Sequence, residues 1–475
     1  MSFVFYDTET TGLKKGFDQI VQFAAIHTDA DLNELDRFDL RCRIQPHVIP
    51  HPKAMLSNRL SIERLTDPAL PSHYEMVCDL RWRLAQWGKA IFVGYNSIRF
   101  DEEMLRHALF QSLFPAYLTS TPGCGRADAM HIVLAACADA APCLNLATGE
   151  SGGPTFRLEA IAAANGIDLG PAHDALTDTE TTLALCRRVA SEAPEIWSRF
   201  VRTANKTAVN DLVESEPVLV LTEFFGFQAT HRHVSCVARE TGNPNGRLCW
   251  DLAMDPVEAA SHSDDALTDL VARPDGPLRR LRTNAGPAIS MTWDAPPAWN
   301  LGDVGEAEQR ADWLRENTSF GTRLATIQAA RWASRDPSRH VELQLYDGFP
   351  DDADQALMAE FHEAGKAERR RLIDRFTDPR VQAFGRRLLH AEYRSAFSEA
   401  DRHDADREMA ERLLVDQDGP LTLPAALASA REVLLANDGV QELMGSYENW
   451  LEARIAKVQQ YLAAPRPETM VRPLK

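Results

Sequence analysis

The sequence predicts an α/β domain around one mixed sheet, then a small β domain, then an all-helical C-terminal domain. Three observations carry that prediction. Over the first 190 or so residues, short β-like runs alternate with helical patterns, which argues helices packed on a sheet. Between Pro217 and Trp293 the apolar runs are short and separated by turn-rich stretches, as in a small barrel or sandwich. From Tyr346 onward the apolar spacing is helical almost to the end. A chain of 475 residues, at roughly 100–200 residues per domain, has room for two to four cores. The expected boundaries are 1–195, 196–345 and 346–475.

In order, Phe3–Phe5 reads as a strand that ends at acids, and Ile20 to Ile44 as two strands joined near Asp29–Asn33, whose composition suits a turn. His73–Trp87 has helical spacing, and Ala90–Gly94 is a short buried strand. Helical patterns follow at Glu102–Leu113, Arg157–Asn165 and Thr177–Ala190, with a Pro/Gly/Ser-containing loop over 142–154. Ile196–Val213 predicts one connecting helix. Pro217–Thr222, His233–Ala238, Arg247–Ala253 and Ala288–Trp293 predict strands, with a helical insertion near 305–333. The last third predicts helices at Ala353–Glu363, Glu368–Phe376, Arg380–Ala396, Ala405–Leu414, Leu423–Asn437 and Val440–Leu462, and a loose tail from Ala463.

Lys plus Arg number 51 and Asp plus Glu 69, giving a net charge of −18 and a pI near 5.3. That balance excludes a generally basic surface for nucleic acid, so a polyanion must be met by a local patch or through metal ions. The eight cysteines include no C-x-x-C pair and read as reduced thiols of a cytoplasmic protein. The N-terminus lacks the pattern of a signal peptide, and no apolar run approaches the length of a membrane span.

Three segments carry chemistry. Asp7-Thr-Glu9 closes the first strand, and residues i and i+2 share a face, so both carboxylates emerge together. Two hard oxygen ligands so placed suit a divalent cation such as Mg²⁺ or Mn²⁺. Alone, the pair reads as a solvated strand end, but the small-polar turn Thr10-Thr-Gly12-Leu13 that follows brings backbone close to whatever the acids hold. Gly94-Tyr-Asn-Ser-Ile-Arg-Phe-Asp101 puts an acid after a buried strand and at a helix start. His173-Asp-Ala-Leu-Thr-Asp178 puts a histidine five residues before an acid that opens another helix.

In the order D-x-E, N-x-x-x-x-D, H-x-x-x-x-D, these segments resemble the DEDDh family of 3′→5′ exonucleases. The resemblance implies a ribonuclease H-like fold, with Asp7, Glu9, Asp101 and Asp178 holding two Mg²⁺ ions, or Mn²⁺ as a substitute, and His173 as general base. Phosphodiester hydrolysis gathers charge on the attacking and leaving oxygens, and two ions about 3.5–4 Å apart stabilise both. A histidine titrating near neutrality can take the proton of the attacking water.

Gln22-Phe-Ala-Ala-Ile26, Gly94–Glu102, Phe156-Arg-Leu-Glu159, Ala164-Asn-Gly-Ile167, Ala172–Ala175, Asn205-Lys206 and Gln344-Leu-Tyr-Asp-Gly-Phe349 narrow the resemblance to the exonuclease I family. It spans nearly the whole chain, and thins between about 235 and 335. It implies an exonuclease domain, an SH3-like β domain and a helical C-terminal domain that enclose single-stranded DNA in a groove. It also implies release of 5′-mononucleotides in DNA repair and recombination, a monomer, and single-strand-binding protein as a partner through its C-terminal tail. The family's pocket for that tail is basic, whereas Glu214 and Glu216 are acidic in one matching region. A broader DEDDh nuclease acting on RNA ends or in proofreading, and a non-catalytic DNA-binding scaffold, are the competing functions. Three-domain length argues against the first and the full set of acids against the second.

The resemblance makes Arg157 a substrate contact, against an intrahelical ion pair, and Tyr117 a DNA contact, against a place in the core. It also makes Glu9 a substrate contact. Arg106 lies about 7.5 Å along the helix from Asp101, within reach of the next phosphate, unless it is a solvated helix face. Leu13, by analogy with proofreading exonucleases, wedges against the terminal base or packs inside. Arg369-Arg-Arg371 with Arg375, and Arg386-Arg387 with Arg394, are the most basic stretches and line the DNA path or are solvated faces.

Overall fold

The computed structural model describes residues 1–139, 143–149, 152–167, 170, 173–225, 228–331, 336–415, 418–437 and 439–464. β1 (Phe3–Thr10) is buried on both faces and organises the first domain. Phe3 and Phe5 join one apolar cluster, Val4 and Tyr6 another. A strand of period two buried on both sides needs a layer above and below.

β2 (Ile20–Thr28) pairs antiparallel with β1, and β3 (Glu34–Arg41) pairs antiparallel with β2. They turn where expected, at Asp29, whose carboxylate accepts the backbone N–H groups of Asp31 and Asn33. Two short helices, α1 (Pro52–Ser57) and α2 (Ile62–Leu65), precede α3 (His73–Trp87), which opens on a Ser72/Glu75 capping box. β4 (Ile91–Gly94) lies parallel to β1 and leads to α4 (Asp101–Gln111). β5 (Gly125–Asp128) and α5 (Ala129–Asp139) follow, then the two-residue strands β6 (Ala147–Thr148) and β7 (Pro154–Thr155) within the expected loop. Residues 142, 150 and 151 of that loop lie outside the described residues. α6 (Leu158–Ala164) and α7 (Ala175–Glu192) complete the domain. The sheet order is β3-β2-β1-β4-β5, mixed as expected. α5 and α7 cover the face of Phe3 and Phe5, α3 and α4 the face of Val4 and Tyr6.

The single connecting helix expected over 196–213 is two, α8 (Pro194–Thr203) and α9 (Lys206–Ser215). Asn205 breaks it by taking the N–H groups of Thr207 and Ala208 on its side-chain oxygen, which caps the second helix. The middle sheet contains β8 (Leu219–Phe225), β9 (Gln228–Arg239) and β10 (Gly246–Asp251). After α10 (Pro256–Ala260) and α11 (Asp264–Ala272) come β11 (Leu278–Arg282) and β12 (Ile289–Met291). All pairs are antiparallel, in the order β11-β10-β9-β8-β12. The helical insertion is α12 (Val304–Glu316) with α13 (Thr318–Ala330), packed on β9.

The C-terminal region is helical as expected: α14 (Asp352–Glu363), α15 (Lys366–Arg375), α16 (Pro379–Glu392), α17 (Glu399–Leu414), α18 (Leu423–Ala436) and α19 (Gln441–Ala463). From residue 465 the expected loose tail lies outside the described residues. Its helices do not stand apart from the first domain. Tyr74, Phe110 and Leu113 share a core with Phe361, Leu372 and Phe384. Val21, Ile44 and Met55 share another with Leu413, Ala430 and Tyr447. All eight thiols are free, and no described helix is long and apolar enough to cross a membrane.

Candidate active site

The two faces of β1 explain how the acids meet. Asp7 and Glu9 continue the face of Phe3 and Phe5, toward α7, and Asp178 stands in the first turn of α7. Carboxylate oxygens of Asp7, Glu9 and Asp178 lie within 4.8 Å of one another. Asp101, the first residue of α4, approaches from the opposite layer. Thr8 points that way, and its hydroxyl donates to Asp101 Oδ1 at 2.5 Å. The fourth acid thus stands outside the tight trio but beside it, tied to the residue between Asp7 and Glu9.

The electrostatics follow from that crowding. Burial, then the charges of Asp101, Glu9 and Asp178, hold the Asp7 carboxyl well above the usual carboxylate range. Burial, then Asp178 and Asp101, push Glu9 up to about 8. Burial raises Asp101 to about 7 against the hydrogen bond from Thr8, and raises Asp178 to about 6 against the nearby His173. Four acids that keep their protons toward neutrality form a site short of positive charge. Hard, converging oxygens fit a divalent cation, which lowers each of these pKa values on binding.

Several devices fix the site. Asp174 caps α7 through the N–H groups of Leu176 and Thr177, while its other oxygen takes Arg41 at 2.5 Å and Gln22 at 3.3 Å. Gln22 is the β2 partner of Glu9, so the sheet itself anchors the helix that carries Asp178. Gly94 permits the return from β4 to α4, since a Cβ there would sit 2.5 Å from the Ser97 side chain and 2.9 Å from the Tyr6 carbonyl. Asp128 then accepts the N–H of Asn96 at 2.8 Å, which holds Asn96 in a left-handed turn at φ 56°. After β1, Asp18 ties the turn through Thr11 and the Lys14 N–H, and occupies the space a Cβ on Gly12 would need.

His173 is exposed, with its backbone at φ 67°, and its N–H donates to Asp178 Oδ2 at 3.3 Å. Leu13 is 80% exposed, so the packed alternative does not apply. It lines a cleft of about 420 Å³ with Lys14, Lys15, Phe17, Glu103 and Tyr346. Arg157 is exposed at the N-cap of α6, which packs on α7, and forms no intrahelical ion pair among the described residues.

Arg106 is neither a solvated face nor a free cation. It is buried, donates to Glu102, Glu103 and the Tyr346 hydroxyl, and lies 5.0 Å over the Tyr117 ring. A phosphate would have to compete with those partners. Tyr117 is half-buried between Arg106 and Phe349, whose ring is 5.5 Å away and 76% exposed.

Sequence reasoning gave no role to Glu102, Arg126 or Asp128. Glu102 stands in the quoted motif, next to Asp101, and its neighbour was the informative acid. Arg126 and Asp128 lie on β5, where Gly-Arg-Ala-Asp offers no apolar run to mark a strand. The usable signal was an acid immediately before an apolar helix.

An Exonuclease family model matches residues 4–186, and an Exonuclease I C-terminal domain model matches residues 339–454. The chain is 27% identical over 421 residues to exodeoxyribonuclease I of Haemophilus influenzae, covering 82% of this chain and 88% of the relative. It is 27% identical over 401 residues to the Escherichia coli enzyme of that name, covering 80% and 83%. Among solved structures, exonuclease I from Methylocaldum szegediense superposes with a TM-score of 0.81 at 25% identity, covering 96% of this chain and 99% of that one. Escherichia coli exonuclease I in complex with a dA16 oligonucleotide gives 0.80 at 22% identity, covering 97% and 99%. The acids of β1, α4 and α7 fall inside the first matched region and the closing helices inside the second: the chain belongs to the exonuclease I family.

Proposed function

We propose that this protein is a 3′→5′ exonuclease that hydrolyses single-stranded DNA from its 3′ end and releases 5′-mononucleotides. The observation that carries the reading is the trio Asp7, Glu9 and Asp178 with Asp101 opposite, in a chain whose relatives are named exodeoxyribonuclease I. The four acids would hold two Mg²⁺ ions, or Mn²⁺, which neutralise the scissile phosphate and stabilise the attacking and leaving oxygens. His173, on an exposed bend beside Asp178, takes the proton of the attacking water. Leu13 meets the terminal nucleotide from the cleft rim, and Arg157 offers a guanidinium to the phosphate. Arg106 supports the strand's path through Tyr346 on the wall of that cleft, and Tyr117 through its contact with the exposed Phe349 ring.

The same reading takes the five-stranded middle sheet as SH3-like and the protein as a cytoplasmic monomer in DNA repair and recombination, with the tail of single-strand-binding protein as a partner. The test is incubation of end-labelled single-stranded DNA, RNA and duplex with Mg²⁺ and with EDTA. Single-stranded DNA is expected to shorten from the 3′ end only with metal. Release of a 5′ label as mononucleotide before the strand shortens overturns the polarity, and preferential loss of RNA overturns the substrate.

A further inference from the structure

Next to Asp101, Glu102 is fully buried and collects four donors. Its Oε1 accepts from Thr119 Oγ1 at 2.5 Å and from Arg106 and Arg126 at 2.9 Å each, and its Oε2 from the Tyr6 hydroxyl at 3.4 Å. Tyr6 precedes Asp7 on β1. One carboxylate therefore ties together the start of α4, the strand that carries Asp7 and Glu9, and two guanidinium groups. An acid placed in the interior this way persists because its partners are charged and hydrogen-bonded.

The arginines lead outward. The second arm of Arg126 donates to the carbonyl of Asn284, in the turn after β11, and its backbone N–H donates to Ala204 at the end of α8. The turn closes against Arg126 tightly: a Cβ on Gly286 would lie 2.5 Å from the Arg126 carbonyl oxygen, at φ 54°. Arg106 reaches the Tyr346 hydroxyl at 3.2 Å, ahead of α14, and Tyr346 also donates to Glu103. Both outer regions thus end on the first turn of α4.

We propose that Glu102 and Arg126 are positioning residues that couple the seating of the middle β domain to the posture of Asp101, so that the metal site is fully assembled only when the Asn284–Gly286 turn is docked. The inference rests on the exonuclease reading where it gives Asp101 a metal. In a helix's first turn neighbouring residues move together, so a shift of Glu102 carries Asp101 away from Asp7 and weakens the ion's grip without removing a ligand.

The test is equilibrium Mn²⁺ binding to the full-length protein, followed by the paramagnetic signal of free Mn²⁺, with melting recorded in parallel. Gly286→Ala perturbs the turn from the β-domain side, and Arg126→Met removes the link itself. Both are expected to melt cooperatively yet bind Mn²⁺ about tenfold more weakly, the low end of what partners that orient metal ligands command. Their kcat should fall on single-stranded DNA while KM holds. A Gly286→Ala protein that melts lower but keeps the wild-type Mn²⁺ isotherm has only lost stability, and that result overturns the coupling. Should Arg126→Met fail to fold, the Gly286→Ala isotherm decides alone. If the wild-type protein binds no Mn²⁺, and Asp7→Asn changes nothing, the metal-site reading fails and this inference with it.

Discussion

At the scale of single residues, the site is defined by negative charge held where protein and solvent do little to neutralise it. Replacing Asp7 or Asp178 with Asn keeps the shape and removes one charge from the trio. Cleavage should then be abolished while single-strand binding stays measurable. A variant with more than about a tenth of the wild-type rate, a barrier change under about 1.4 kcal/mol, contradicts a metal role. The raised pKa values add a second expectation, whose sign is fixed. Glu9 goes from 4.5 to about 8 and Asp101 from 3.8 to about 7, so folding favours their protonated forms. In the metal-free protein the contribution of these two acids to stability is therefore greatest below the ordinary carboxyl range and is lost as pH rises through about 7 to 8. Divalent ions need the deprotonated acids, so binding releases protons, and added Mg²⁺ should raise the melting temperature more at about pH 8 than at about pH 6. Equal stabilisation at both pH values would show that these acids do not share the ion.

At the scale of elements, legibility tracks local pattern. The strand with Asp7 and Glu9 and the starts of α4 and α7 were readable, because period two, period 3.6 and a helix-opening acid are local signals. β5 was not, since Arg126 and Asp128 occupy it for their partners across the molecule. β11 was hidden likewise by Leu-Arg-Arg-Leu-Arg, in which Arg279 is buried. The basic run on α15 shows the converse. Arg369 is 8% exposed, donates to the carbonyls of His362 and Ala364 and to the Tyr393 hydroxyl, and lies 5.0 Å over the Phe361 and Tyr393 rings. It is part of the core rather than of a DNA path. Arg369→Ala should cost about 2–4 kcal/mol in urea denaturation, because its acceptors and rings lose a buried partner. Arg370 and Arg371 instead pair with Asp374 and Glu368 on their own helix. Neutralising those two should change stability by under about 0.5 kcal/mol and leave the salt dependence of single-strand binding as it is. A slope shallower by about 0.7 per lost phosphate contact would return them to the DNA path.

At the scale of the whole molecule, the order of the three regions was readable from the chain and their interlocking was not. Contacts between segments hundreds of residues apart leave no periodicity to find. A cut near Ala193 keeps Asp7, Glu9, Asp101, His173 and Asp178, and by ligand inventory alone it retains the whole reaction. The packing argues otherwise. The fragment would bare Tyr74, Phe110 and Leu113 where α14–α16 cover them, and Val21, Ile44 and Met55 where α17–α19 do. It would also lose Ile196, Phe200 and Ala204 from the cluster that holds Phe3 and Phe5. Exposing that much apolar surface costs about 25 cal/mol per Å², against a net stability of only about 5–15 kcal/mol for a typical domain. Glu102 would keep both arginines but lose the anchors at Asn284 and Tyr346 that fix them. The fragment ending near Ala193 is therefore expected to bind a hydrophobic dye, to unfold without a sharp transition, and to hold Mn²⁺ far more weakly than the full chain. Cooperative unfolding with full Mn²⁺ affinity would show instead that the first region carries its own core, and that the outer helices cover it without completing it.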